Sequence, residues 1–390
     1  MIAFWLIVAL VPLWVIDGVF LAEVVLGLFP QRRRTLPQGP HRIAILTPAH
    51  NEQGTIGASV AAIARYRPEG TRHLVIAHNC SDGTADEARV TGAEVAALND
   101  PARRGKGYAL AFGREQLAGD PPAIVIVIDA DCTIEPGTIE RLAAAAAAHD
   151  SAIQGSYMFR SRAGDAPMVQ ISNFAMLVKN LVRQRGGNRL GAPALMMGSG
   201  MAFPWARFAA LDLATGNIVE DLAIGLELIA AGAPPAFEES ARTWSVPSNV
   251  AGTETQRARW EGGFLATARA TAFPLFLRGL TRRRWPETWM GLHLMVPPLT
   301  LLLMVNGLVW GVTGLFALAG IAAPFHLSSA LLAAMLASVL VAWMVAGRAM
   351  LEPKMLVRLP FYLFWKLALY ARLVRKKEKQ DWVRTERVDP

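Results

Sequence analysis

The sequence predicts an α/β domain, a mostly parallel sheet with helices on both faces, joined to α-helical transmembrane and interfacial helices. Three observations carry this. Short aliphatic runs alternate with helical stretches from Arg42 to Asp131, and two blocks are apolar and long enough to cross a bilayer. Beside those blocks, arginines and lysines mix with aromatic residues. Composition agrees, because 53% of the 390 residues are apolar and only 18% are charged. A soluble domain carries about one-quarter charged residues, so part of the chain belongs in lipid. The net charge of +8 calls for an anionic partner. Cys80 and Cys132 are the only cysteines, which excludes disulfide frameworks and cysteine-ligated metal cages.

Residues 2–29 carry only Asp17 and Glu23 as charges and lack the basic start and small-residue cleavage site of a signal peptide. They predict a retained transmembrane helix within a segment 1–30. Arg32, Arg33 and Arg34 follow and place that end in the cytoplasm. The cytoplasmic domain is expected over 40–265. Its strand–helix order begins with RIAILTP from Arg42 and a helix through TIGASVAAIARY. HLVIAHN, the helix GTADEARVTG, EVAAL and the helix KGYALAFGREQLAG come next. AIVIVIDAD then reads as a strand buried on both faces.

An interfacial helix is expected over 266–290, from FPLFLRGLTRRRW (Phe273 to Trp285). Gly291 to Gly347 holds no Asp, Glu, Lys or Arg and predicts a transmembrane hairpin bent near Ile321–His326, where Pro324 breaks the pattern. Arg348, Lys354 and Arg358 follow the second crossing. The segment 348–390 carries an interfacial helix (Leu359 to Lys377) and a basic tail. All basic flanks then fall on one side. The expectation is a multi-pass inner-membrane protein with its α/β domain in the cytoplasm. Asp17 should find a buried partner or snorkel.

A parallel sheet gathers ligands at the carboxyl ends of its strands. His50, Asn51 and Glu52 follow the first strand, His78 to Asp82 the second, and Asp129 and Asp131 the fourth. Two carboxylates two residues apart repel unless a cation intervenes, and a hard divalent ion takes one or two of them plus phosphate oxygens. Glu220 and Asp221 open an apolar-periodic helix, where acidic residues also suit the helix dipole. Gln256, Arg259 and Trp260 form QRARW on a further helix. No GxGxxG follows a strand, and neither GxxxxGK[ST] nor HExxH occurs.

PAHNE, IDADC, VED and QRARW, in this order and ahead of a membrane tail, resemble the membrane-bound family 2 glycosyltransferases, which include cellulose, chitin and hyaluronan synthases. The resemblance implies a GT-A fold and inverting transfer from a nucleotide sugar, usually a UDP-sugar, with Mg²⁺ or Mn²⁺. It also implies roles by position. Ala49, His50, Asn51, Glu52, His78, Asp82 and Lys106 would bind the donor, and Asp129 and Asp131 would hold its diphosphate through the metal. Gly198, Ser199 and Gly200 would form part of the acceptor floor. Asp221, with Glu220 beside it, would be the general base, and Gln256, Arg259 and Trp260 would meet the acceptor and diphosphate. Trp382, Thr385 and Arg387 in WVRTER resemble a gating motif. His78 stands where family members commonly carry aspartate, and an imidazole cannot accept the same pair of hydrogen bonds.

Two other functions fit parts of the chain. DADCT matches the signature of haloacid-dehalogenase-type phosphatases, with Asp129 as nucleophile, although three strands precede it here. A non-catalytic membrane scaffold with a glycosyltransferase fold is the other. The partners expected are a nucleotide sugar, a glycan or lipid-linked acceptor and the bilayer. Nucleic acid is not expected, because the arginines flank apolar helices. Three spans are few for a polymer channel, so secretion would call for a second copy or a partner.

Overall fold

Among the described residues, eight strands form one sheet; β-branched and aliphatic side chains dominate the first and fourth, whereas the last alternates buried with half-buried residues. In chain order the strands are β1 (Ile43–Ala49), β2 (Arg72–His78), β3 (Glu94–Leu98), β4 (Ile124–Val127), β5 (Cys132–Ile134), β6 (Ile153–Phe159), β7 (Met201–Pro204) and β8 (Ala236–Ser245). The computed structural model describes the chain except residues 32–34, 38, 40–41, 163, 218, 246–249 and 376–390. The sheet order is β3-β2-β1-β4-β7-β6-β8-β5. The first four strands are parallel, with Ala49 beside Ala77, Leu46 beside Val127 and His78 beside Leu98. Their carboxyl ends therefore lie along one edge. β7 runs antiparallel to β4, with Met201 opposite Val127, which carries the preceding residues 198–200 to that same edge.

Every residue of β1 and β4 is buried, as their unbroken apolar runs require. Leu46, Ile76, Leu110, Val127 and Phe203 meet in the core between the sheet and the helix Lys106–Leu117. That helix approaches closely. A β-carbon on Gly113 would stand 2.4 Å from Leu46 Cδ1, and one on Gly107 would stand 2.4 Å from the Leu213 carbonyl oxygen. Truncating Leu46 to alanine here should cost about 2–5 kcal/mol.

Contacts divide the chain into two units. The sheet unit holds 31–160 and 193–264; the helical unit holds 1–30, 161–192 and 265–377. The segment 161–192 lies in the sequence range expected for the α/β domain, yet it packs with the helical unit because glycines open the way. A β-carbon on Gly186 would stand 1.8 Å from the Glu23 carbonyl oxygen, and one on Gly27 would stand 1.8 Å from that of Val182. Among the described residues, three helices are long and apolar enough to cross a membrane: Ile2–Gly27, Leu299–Leu318 and Ala323–Gly347. The hairpin turns at 319–322, just ahead of Pro324. Pro324 starts the following helix at its first turn, where a missing N–H costs nothing, so it is a start signal rather than a break.

Two buried polar contacts tie the helical unit together. Asp17 accepts a hydrogen bond from Asn306 Nδ2 at 2.8 Å. Glu23, wholly buried, pairs with Arg183 Nε at 2.6 Å and accepts from His293 Nδ1 at 2.7 Å and Trp289 Nε1 at 3.0 Å. Arg183 closes a π-helical turn, Val178–Arg183, whose wider winding sets its side chain against Glu23.

Candidate active site

The first loop pair forms where β1 and β2 end. Asn51 and Asn79 adopt φ of 56° and 50°, a region that asparagine tolerates and most residues avoid. Asn51 Oδ1 accepts from the Ser81 N–H at 2.8 Å, and Asn79 Oδ1 accepts from the Asp100 N–H at 2.7 Å. His50 Nδ1 donates to the His78 carbonyl oxygen at 2.8 Å, and the Glu52 N–H donates to Thr84 Oγ1 at 2.8 Å. Asp82 accepts from the Gln53 and Thr84 N–H groups, so it braces the two loops. His78 is wholly buried, and its Nε2 donates to the Arg103 carbonyl oxygen at 2.7 Å. Burial holds its pKa below the usual histidine value, so it is neutral near pH 7.

The second group forms where β4 ends. Lys106, at the start of its helix, reaches Asp129 at 2.5 Å, the Gly198 carbonyl oxygen at 2.6 Å and Glu220 at 3.6 Å. Gly198 has φ +88°, which favours glycine. A β-carbon there would stand 3.2 Å from Lys106 Nζ, 3.3 Å from Asp221 Oδ2 and 3.9 Å from Asp129 Oδ2. Residues far apart in sequence thus surround one small volume that only a bare glycine leaves open. The turn is held from beneath. The Asp129 N–H donates to Ser199 Oγ, and the Gly200 N–H donates to the Val127 carbonyl oxygen. Gln154, wholly buried, donates to the Ser199 carbonyl oxygen at 2.9 Å and accepts from the Met197 N–H at 2.8 Å. Sequence reasoning missed Gln154; its signal is a long amide in the otherwise buried strand β6.

Charge in this group is unbalanced toward acid. Burial raises the Glu220 carboxyl to about 7, with Asp221 and Asp129 pushing the same way against Lys106. Burial also raises Asp129; Lys106 opposes it, and Asp131 and Asp221 add to it. For Lys106 burial acts downward, but Asp129 and Glu220 outweigh it and hold the ammonium above its ordinary value. Burial lowers the Arg259 guanidinium, opposed by Glu220 and Asp129, so Arg259 faces the same carboxylates. Ligand atoms of Asp129, Asp131 and Cys132 lie within 4.8 Å of one another. Two carboxylates with surplus negative charge around them suit a hard divalent cation.

Gln256 is buried on the helix Val250–Thr281. Trp260 packs against Phe159 at the end of β6, with ring centroids 5.6 Å apart, and the Arg257 guanidinium lies 5.0 Å from its centroid. Part of that indole surface is therefore covered by the protein itself. Trp382, Thr385 and Arg387 lie outside the described residues.

The family model described as Glycosyltransferase like family 2 matches residues 40–263. Uncharacterized glycosyltransferases of Mycobacterium tuberculosis and Mycobacterium bovis are each 36% identical over 102 residues. The match covers 26% of this chain and 42% of theirs, so the chain spans less than half the length of these curated relatives. Among solved structures, the mannosyltransferase PcManGT from Pyrobaculum calidifontis, in complex with GDP-Man and Mn²⁺, is 15% identical with a TM-score of 0.54. The alignment covers 97% of this chain and 100% of that one. The fold is of the GT-A type, with three helices added that could span a membrane.

Proposed function

Because the chain belongs to the glycosyltransferase like family 2, we propose that it is an inverting membrane hexosyltransferase acting on a nucleotide sugar. The acceptor is a polysaccharide or a lipid-linked sugar, and the reaction serves cell-surface glycan synthesis. The observation that carries this reading is the meeting of Lys106, Asp129 and Asp221 around Gly198. Family membership removes the phosphatase alternative, in which Asp129 would be a nucleophile. Here Asp129 is paired with Lys106 and ends the fourth strand of a shared edge.

An acceptor hydroxyl is a poor nucleophile near neutral pH, and a positioned base contributes about 10²–10⁴-fold. Asp221 takes that proton as the hydroxyl attacks the anomeric carbon. Glu220, drawn to Lys106, holds a proton or releases it according to the charge around it. The bond to the nucleoside diphosphate breaks as the new one forms, and negative charge builds on the leaving group. Lys106 and Arg259 offset that charge, so the leaving group needs no proton. Asp129 and Asp131 would hold Mg²⁺ or Mn²⁺, which would supply further charge neutralisation when bound. UDP-sugars are the first donors to test, and GDP-mannose, bound by PcManGT, is the next. Arg32–Arg34 and the basic residues from Arg348 onward support a cytoplasmic side for the sheet unit, with the inner membrane as the proposed location.

The full-length protein in detergent micelles, given UDP- and GDP-sugars with glycan and lipid-linked acceptors, should yield a hexose-extended product by mass spectrometry. Asp221→Asn should lower turnover by about 10²–10⁴-fold while donor affinity stays near wild type. Undiminished transfer by the folded variant overturns the assignment of the base. No turnover by the folded wild type with any pair favours the scaffold alternative.

A further inference from the structure

Asp131 is the better buried of the two strand-end aspartates, and its carboxylate does not hang freely. Ser245 Oγ donates to Asp131 Oδ2 at 3.0 Å, and the Cys132 thiol, a weaker donor, faces Oδ1 at 3.3 Å. The direction of the first bond is forced, because an ionised carboxylate only accepts. Ser245 is itself held from both sides. It is the last residue of β8, paired with Cys132 of β5 on one side and with Phe159 of β6 on the other. Tyr157 of β6, two residues from Phe159 and buried, is a hydrogen-bond partner of Ser245. Hydrogen-bond contacts thus run from Tyr157 through Ser245 to Asp131, across three neighbouring strands and wholly inside the sheet unit.

We infer that Ser245, backed by Tyr157, is a positioning residue that fixes the Asp131 carboxylate to receive the divalent cation. The inference rests on the proposed metal role of Asp131. Magnesium and manganese ions tolerate little departure from their preferred ligand geometry. A carboxylate free to rotate about its χ angles must be ordered when the ion arrives; one already clamped does not. Loss of such an outer hydrogen bond typically costs about 10–100-fold in metal affinity. Neither residue touches the reacting atoms, so the effect belongs to metal affinity and not to the chemical step.

The test is a Mn²⁺ titration of the full-length protein, following the free ion by electron paramagnetic resonance. Ser245→Thr and Ser245→Val have the same shape and differ in one hydroxyl, and both suit a strand. Ser245→Thr should bind Mn²⁺ within about twofold of wild type, and Ser245→Val about tenfold more weakly or worse. Tyr157→Phe should show a smaller loss in the same direction. Turnover by Ser245→Val should recover as Mn²⁺ is raised, so that the metal requirement moves and the maximal rate does not. Equal Mn²⁺ affinity in the threonine and valine variants overturns the inference, as does wild-type affinity in Tyr157→Phe together with Ser245→Val. Asp131→Ala separates the levels. If it loses Mn²⁺ while Ser245→Val keeps it, only the clamp is wrong; if Asp131→Ala binds as wild type, the metal assignment itself fails.

Discussion

Two clusters of buried charged groups among the described residues are built differently. In the helical unit, Glu23 meets Arg183, His293 and Trp289, so one carboxylate receives a guanidinium, an imidazole and an indole N–H. In the sheet unit, Asp129, Asp131, Glu220 and Asp221 gather with Lys106 and Arg259, and acid remains in excess. The first cluster is closed: its donors match its acceptor. The second is left short of positive charge; burial raises the Glu220 and Asp129 carboxyls, Lys106 opposes it, and the neighbouring carboxylates add to the rise. A balanced buried cluster needs nothing more and acts as a clamp. An unbalanced one is stable only in part, until a cation or a proton arrives, and that incompleteness marks a functional site.

Removing the cation from each cluster separates the two most strongly. Arg183→Met leaves the buried Glu23 carboxylate without its guanidinium, held by His293 and Trp289 alone, and should destabilise the protein by about 3–5 kcal/mol. Lys106→Met should cost a similar amount in the absence of metal. The responses to Mn²⁺ should then diverge. Thermal unfolding in micelles should show the Lys106→Met loss shrinking as Mn²⁺ is added, because the ion takes over part of the neutralisation. The Arg183→Met loss should stay the same. A Mn²⁺ response from both variants, or from neither, removes the distinction between clamp and site.

The next effect is one of pH. Glu220 stands at about 7 when folded, above the ordinary carboxyl value, so the folded state binds its proton more tightly than the unfolded state does. Stability from this group is present at low pH and is lost as pH rises toward 7, by roughly 2–3 kcal/mol. Metal-free protein should therefore unfold at a lower temperature at pH 7.5 than at pH 5. Glu220→Gln should flatten the profile, and saturating Mn²⁺ should do so in part. A profile unchanged by Glu220→Gln contradicts the excess of acid.

Much of this arrangement is legible along the chain, for definite reasons. A strand buried on both faces must be an unbroken aliphatic run, so Ile124–Val127 declares itself and the carboxylates beyond it mark the sheet edge. EVAAL is legible although half-exposed, because turn residues bound it on both sides. Ser245 and Tyr157 are not legible. Their relation to Asp131 depends on the β5–β8 and β6–β8 pairings, which join residues more than eighty positions apart, and no periodicity records such a register. Gln154 shows along the chain only as a long amide, and its bonds to Met197 and Ser199 depend on the β6–β7 pairing. Pro324 misleads by a few residues, since proline opens a helix as readily as it ends one. The excursion of 161–192 into the helical unit is set by Gly27 and Gly186, whose importance appears only where two backbones touch.

The smallest expected effect tests whether every intramembrane carboxyl belongs to one of the two kinds. Asp17 lies wholly buried within the first apolar helix, with Asn306 Nδ2 as its donor. Among the described residues, unlike Glu23 it has no cationic neighbour, and unlike Asp129 it has no second carboxylate beside it. Its contact should therefore behave as an ordinary interhelical hydrogen bond, which averages about 0.6 kcal/mol and reaches about 1.7 in membrane proteins. A double-mutant cycle with Asp17→Ala and Asn306→Ala, read by unfolding in micelles, should give a coupling in that range. Asp17→Asn keeps an acceptor for Asn306 and should change stability by less than about 1 kcal/mol, with Mn²⁺ affinity unaltered. A coupling of several kcal/mol would move Asp17 into the class of the Glu23 clamp. A change in Mn²⁺ affinity would tie it to the acidic cluster, and the independence of the helical unit's buried carboxyls from that cluster would then have to be abandoned.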